Sequence, residues 1–278
     1  MMMMRLAAAL IAITGMIWAT PSRADCALRD FMALPLPLTS DNIATALELA
    51  YPGSRADTGA GLFTAPDGQV ILLLPARAVS DRARLDRATI GDMFAQAYPL
   101  DGDRARRLTP WADPGRARND AFFRALYGDT AAQVGARLTT VRYQGQTVAA
   151  AFQVTTRACV AVQLQAALSA LQAMSPGIDP LLTDVGGSFN WRLVAGTDRL
   201  SSHSFGAAID LNAGLGGYWR WTGAAEGAVG PMDNHIPPPL VVIMQRYGFV
   251  WGGNWHHFDG MHFEYRPELI LFARLNDG

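Results

Sequence analysis

The stretch that most constrains this chain is Trp251 to Pro267, "WGGNWHHFDGMHFEYRP". It holds three of the five histidines with an aspartate and a glutamate, interleaved with Trp251, Trp255, Phe258, Met261, Phe263 and Tyr265. So many large apolar residues belong in a core, and imidazoles and carboxylates buried among them are costly unless they pair or bind a metal. The fold must therefore bring partners to these groups, which an exposed polar loop does not do.

Residues 201–212, "SSHSFGAAIDLN", offer such partners. Their second half alternates small and β-branched residues as a strand does, so Ala208, Asp210 and Asn212 share one face. The same parity applied to "MHFEY" puts His262 and Glu264 on one face, with Met261, Phe263 and Tyr265 on the core side. Two neighbouring strands of this kind would bring His203, Asp210 and His262 to one point. Two imidazoles and a carboxylate with an open fourth position make a catalytic zinc site, whereas structural zinc wants four closed ligands. The same set is also the facial triad of non-haem iron oxygenases. A His–Asp spacing of seven and an export leader argue against that alternative.

That leader is read at residues 1–24. Arg5 gives a positive start, Leu6 to Trp18 an apolar run, and Ser22-Arg23-Ala24 a small-x-small cleavage site. The run is too short to span a bilayer, so no membrane anchor is expected to remain. A soluble protein of the periplasm or cell envelope is the expectation. In an oxidising compartment Cys26 and Cys159, the only two cysteines, are expected to pair; two buried free thiols are the alternative. The net charge of −1 gives no reason to expect nucleic acid as a partner. The chain has no lysine, since all 23 basic residues are arginine. That closes every mechanism needing a lysine base or Schiff base, the Ser-x-x-Lys peptidases included.

The pattern of elements suggests an α+β fold. Helices are expected after Asp41, over Asp81–Tyr98, over Arg157–Met174, before Gly248 and at the C-terminus. "APDGQVILLLP" reads as a turn into a buried strand, and Leu138–Phe152 as a hairpin turning at Gln144-Gly145. The charged, Pro- and Gly-rich segment 101–120 suggests a boundary. It divides an N-terminal α/β extension of unknown role, 25–115, from a catalytic unit, 116–278.

The motifs S-x-H-x-x-G-x-A-x-D (Ser201 to Asp210), W-G-G-x-W (Trp251 to Trp255) and D-x-x-H-F-E (Asp259 to Glu264) resemble a known family. These are the zinc D-alanyl-D-alanine carboxypeptidases and L-alanyl-D-glutamate endopeptidases of bacterial cell walls. The resemblance is clear from about Val185 to Glu264 and implies a small antiparallel sheet with flanking helices, shared with the Hedgehog signalling domain. It implies zinc on His203, Asp210 and His262, and Asp259 as the general base. It further implies Arg192 as the oxyanion partner and Ser201 as a polar group near substrate. The substrate implied is the stem peptide of peptidoglycan, cut between L-Ala and D-Glu or at the terminal D-Ala. Beside it, the residues themselves suggest that Glu264 orients a ligand and that His257, sharing parity with Asp259, touches substrate. Arg192 as a plain salt-bridge residue, Ser201 as a turn residue and a non-catalytic zinc-bearing wall-binding module stand as alternatives.

Overall fold

The computed structural model describes residues 26–277, so the leader at 1–24 lies outside the described residues. Helix α1 (Asn42–Ala50) starts where Asp41 accepts from the Ala44 N–H, the cap that satisfies an otherwise orphaned donor. Strands β1 (Arg55–Asp57), β2 (Leu62–Thr64) and β3 (Val70–Leu72) follow as an antiparallel meander. The expectation of a buried strand fails at β3, where Val70 and Leu72 are exposed. Only the Phe63 face of this small sheet packs on the core, and the opposite face has no cover.

The single helix expected over Asp81–Tyr98 is two, α2 (Asp81–Asp86) and α3 (Ile90–Met93). Thr89 and Asp92 form a capping box, each side chain accepting from the other's backbone N–H, which starts a new helix in place of continuing the old one. Beyond come α4 (Asp120–Tyr127), α5 (Ala131–Gly135), the hairpin β4 (Leu138–Gln144) and β5 (Ala149–Thr155), and α6 (Val160–Leu171). A disulfide joins Cys26 to Cys159 at the start of α6, with Cα atoms 5.3 Å apart.

The sheet that matters for function is antiparallel, in the order β6 (Val185–Gly187), β7 (Ala208–Asn212), β9 (His262–Tyr265) and β8 (Phe249–Trp251). A short helix, α7 (Ala213–Gly216), follows β7, while α8 (Pro238–Arg246) leads into β8 and α9 (Pro267–Asn276) follows β9. Mixed helices and small antiparallel sheets make the chain α+β. Helix α1 packs on α9, and one apolar cluster draws on both sides of residue 115, from Phe31, Leu47 and Phe63 to Phe249, Phe263 and Leu271. Segment 101–120 crosses the sheet region as a strap: the carbonyl of Pro114 accepts from Trp255 Nε1, and that of Gly115 from Arg266. No helix among the described residues is long and apolar enough to cross a membrane.

Candidate metal centre

Strands β7 and β9 set Asp210 opposite His262 and Ala208 opposite Glu264, so Asp210, His262 and Glu264 rise from one face. His203 comes from a 3-10 turn, Ser202–Phe205, in front of β7. Ser201 caps that turn by accepting from the His203 N–H. Gly206 ends it at φ 62°, where a Cβ would stand 2.9 Å from the Thr155 nitrogen. Only glycine meets both demands without strain. Close packing fixes the far end as well: the place of a Gly260 Cβ is taken by the Gly216 carbonyl oxygen.

The three side chains converge. His203 Nε2 lies 3.1 Å from His262 Nδ1 and 3.2 Å from Asp210 Oδ2, and His262 Nδ1 lies 2.9 Å from Asp210 Oδ1. All three ligand atoms fall within 4.8 Å of one another. Bonds of about 2.0–2.1 Å to a tetrahedral ion set its ligands roughly 3.3 Å apart, so the triangle fits a small cation. The outer ring nitrogens support the same reading. His203 Nδ1 meets the Ser188 carbonyl at 2.6 Å, and His262 Nε2 meets Glu264 Oε2 at 3.2 Å. Neither acceptor has a proton to give once Glu264 is ionised, so each imidazole carries its hydrogen on the outer nitrogen. That leaves His203 Nε2 and His262 Nδ1 as the nitrogens that can ligate, once a bound cation displaces any second proton.

Charges around the triangle are tuned by their neighbours. Burial opposes ionisation of Asp210, but the charge of His203 and hydrogen bonds from both imidazoles hold its pKa well below the carboxylate range. Burial would lower the pKa of His262, yet its hydrogen bonds to Asp210 and Glu264 lift it to about 10. Glu264 is wholly buried. Despite that burial, Arg118 above all keeps it ionised, its Nε 2.8 Å from both carboxylate oxygens. Arg266 adds a bond at 3.2 Å. Asp259 differs. Its Oδ1 is buried and has no hydrogen-bond partner among the described residues. Burial, reinforced by the charge of Asp210, raises its pKa to about 6. Such a carboxylate is poised to take and return a proton near neutral pH.

Other sequence candidates sit elsewhere. Arg192 is exposed, and among the described residues its guanidinium meets only the Leu193 carbonyl, at 3.5 Å, and no member of the triad. Ser201 serves its turn. His257 is a correction: it is 1% exposed, and both ring nitrogens are taken, Nδ1 by Asp113 at 2.7 Å and Nε2 by the Gly227 N–H at 3.0 Å. It has no nitrogen left for substrate. The expectation rested on parity with Asp259, and the stretch between them is a packed loop in which alternation does not hold.

The strap supplies what sequence reasoning missed: Asp113 on His257, Arg118 on Glu264, and Arg116 between them. No local spacing announces these residues, because their partners lie more than a hundred positions away. The only signal was a run of charges with too few local partners.

Comparison with known proteins gives two partial matches. Residues 71–179 match the model of an acetyltransferase (GNAT) domain. That span is divided here between two separate sheets. A search of curated proteins and one of solved structures each found no match. Residues 195–265, which carry His203, Asp210, Asp259 and His262, match the model of a D-alanyl-D-alanine carboxypeptidase family, and over that segment the chain is similar to a family of peptidases.

Proposed function

We propose that this chain is an exported zinc peptidase acting on the stem peptide of peptidoglycan. One observation carries the reading: three ligand atoms within 4.8 Å of one another, beside the unpartnered carboxylate of Asp259, on the segment similar to the carboxypeptidase family. His203 Nε2, Asp210 and His262 Nδ1 would hold the ion. Zinc bound there would act as a Lewis acid on the scissile carbonyl and bring the pKa of a water toward 7. The Asp259 carboxylate accepts a proton from the attacking water as the water oxygen bonds to the carbonyl carbon. The same carboxylate returns that proton to the nitrogen as the C–N bond breaks, so that a carboxylate and an amine leave. Glu264, held by Arg118 and Arg266, keeps the His262 ring in orientation.

For the bond cut, we favour L-Ala–D-Glu, because aspartate at the base position is frequent among the endopeptidases that this segment resembles. Removal of terminal D-Ala is the second reading, favoured by the description of the matched family. The glycines at 214, 216 and 217 do not bear on this choice: Gly216 packs against Met261, where a Cβ would stand 2.4 Å from the backbone nitrogen, so this stretch is an interlock. Trp219 is buried under Arg116 and His257, which leaves Trp221, 63% exposed, as the aromatic surface there. Mass spectrometry of peptidoglycan digested by the mature protein tests the reading. New D-Glu amino termini support the endopeptidase, free D-alanine alone supports the carboxypeptidase, and no peptide product sinks both.

A further inference from the structure

Two arginines near the proposed base, Arg116 and Arg199, make no salt bridge to a carboxylate among the described residues, and feel acidic groups only from farther away. Arg116 lies on the strap between two residues whose side chains are hydrogen-bonded elsewhere. Asp113 gives both oxygens to His257, at 2.9 Å to its N–H and 2.7 Å to Nδ1, and Arg118 is bound to Glu264. The Arg116 guanidinium itself has no hydrogen-bond acceptor in reach among the described residues, only the more distant charges of Asp113 and Asp259. It lies over the Trp219 ring at 6.0 Å, and Tyr218, next to that tryptophan, bridges to Asp259 through the backbone. Arg116 therefore stands on the Asp259 side of the triad.

Arg199 stands behind it. This residue is 9% exposed, and its Nε is buried with no partner among the described residues. Among the described residues its guanidinium makes one hydrogen bond, at 3.5 Å, from a terminal nitrogen to the Arg116 carbonyl. Burial, with Arg118 and Arg116 close by, lowers its pKa to about 10. Asp86 and Asp120 offset its charge only from beyond hydrogen-bond reach, and a buried cation with no direct counter-ion is unfavourable. Three guanidiniums share this corner, and only Arg118 holds a carboxylate by hydrogen bonds.

We propose that Arg116, backed by Arg199, receives the free α-carboxylate of the residue on the amine side of the cleaved bond. The planar fork of a guanidinium matches a carboxylate in two parallel hydrogen bonds, and Trp219 holds the fork from one face. Position decides which carboxylate this is: the base beside it must reach the leaving nitrogen, so the anion belongs to the residue bearing that nitrogen. This deepens the peptidase reading and rests on it. D-Glu linked onward through its side chain carries a free α-carboxylate there, and so does a terminal D-Ala. One subsite thus accepts both bonds and refuses an ordinary internal peptide, in which that carboxyl is an amide.

The experiment uses γ-D-glutamyl-L-lysine and its α-amide as probes of the zinc-loaded protein, titrated by calorimetry. The acid should bind about 10- to 100-fold more tightly, the scale of a charge-assisted hydrogen bond. Arg116→Gln should bind acid and amide alike, and Arg116→Lys should recover part of the preference. Since the Arg116 head group has no native hydrogen bond, the glutamine variant should keep the parent melting temperature. Should it not, Arg199→Gln gives the same readout. Equal binding of the two probes by the parent protein, or an undiminished preference in Arg116→Gln, overturns the proposal. A cleavage arm with L-Ala-γ-D-Glu-L-Lys separates the two ideas. Preferential binding of the acid without cleavage of any stem peptide supports the subsite and sinks the peptidase.

Discussion

Glu264→Gln removes one charge while keeping the shape of the side chain. Every polar neighbour of this carboxylate is a donor: Arg118 Nε at 2.8 Å from each oxygen, Arg266 at 3.2 Å and His262 Nε2 at 3.2 Å. Either orientation of a glutamine amide therefore aims an NH2 group at a donor. Arg118 loses its anion, while Arg266 retains Glu268. Breaking a buried ion pair from one side costs about 3–5 kcal/mol. A chain of this size loses about 2–4 °C per kcal/mol, so the metal-free variant should melt about 6–20 °C below its parent. His262 also loses the acceptor that orients it, and ligands deprived of such a partner bind metal about 10- to 100-fold more weakly. Calorimetric melting in the presence of a chelator measures the first effect, and zinc competition against a chromophoric chelator the second. Melting within 2 °C of the parent at unaltered zinc affinity would refute the reasoning and leave Ser202 Oγ, 3.4 Å from His262 Nε2, as the orienting group.

Three further outcomes follow. Asp259→Asn should keep its metal while turnover falls about 100-fold or more. The acid limb of the pH–rate profile, at or below pH 6 because a bound cation lowers the pKa of a neighbouring acid, should vanish with it. In the metal-free protein the His262 pKa rises from 6.5 to about 10, so its contribution to stability is complete below pH 6.5 and is lost as pH rises through 10. Zinc uptake at pH 7 should then release about one proton, read by calorimetry in two buffers of different ionisation enthalpy; no buffer dependence would contradict it. Cys26→Ala opens a loop with a sequence separation of 133. It should cost up to about 5 kcal/mol in a denaturant titration, and an unchanged midpoint would mean that the disulfide does not constrain the unfolded chain.

The parity of two short strands carried much of the site. Alternation alone put Asp210 on one face of β7 and His262 with Glu264 on one face of β9, and the pairing of those strands brings the three together. His203 was legible only as a motif member, because its position depends on a 3-10 turn and the left-handed Gly206. What stayed hidden is long-range. Arg118 and Glu264 are 146 residues apart, and no local rule joins them. The charge and proline content of segment 101–120 suggested a boundary, and nothing in its local sequence says that Asp113 and Arg118 within it meet the buried His257 and Glu264. His257 misled for the opposite reason, since parity was applied to a loop in which Asp113 decides the direction of the ring. The break at Thr89 was readable in principle, as Thr89-x-x-Asp92 has the spacing of a capping box, with aspartate at the position where glutamate is usual.

The proposed chemistry depends on the triangle of His203, Asp210 and His262. Zinc-edge X-ray absorption on the purified protein, with metal counted by elemental analysis, tests it most directly. One zinc per chain is expected, with two imidazole nitrogens and oxygen donors at about 2.0–2.2 Å and no sulfur, and with the signal lost in His262→Ala. A protein that takes up no zinc when zinc is supplied, or a His262→Ala variant that keeps the same spectrum, would contradict it.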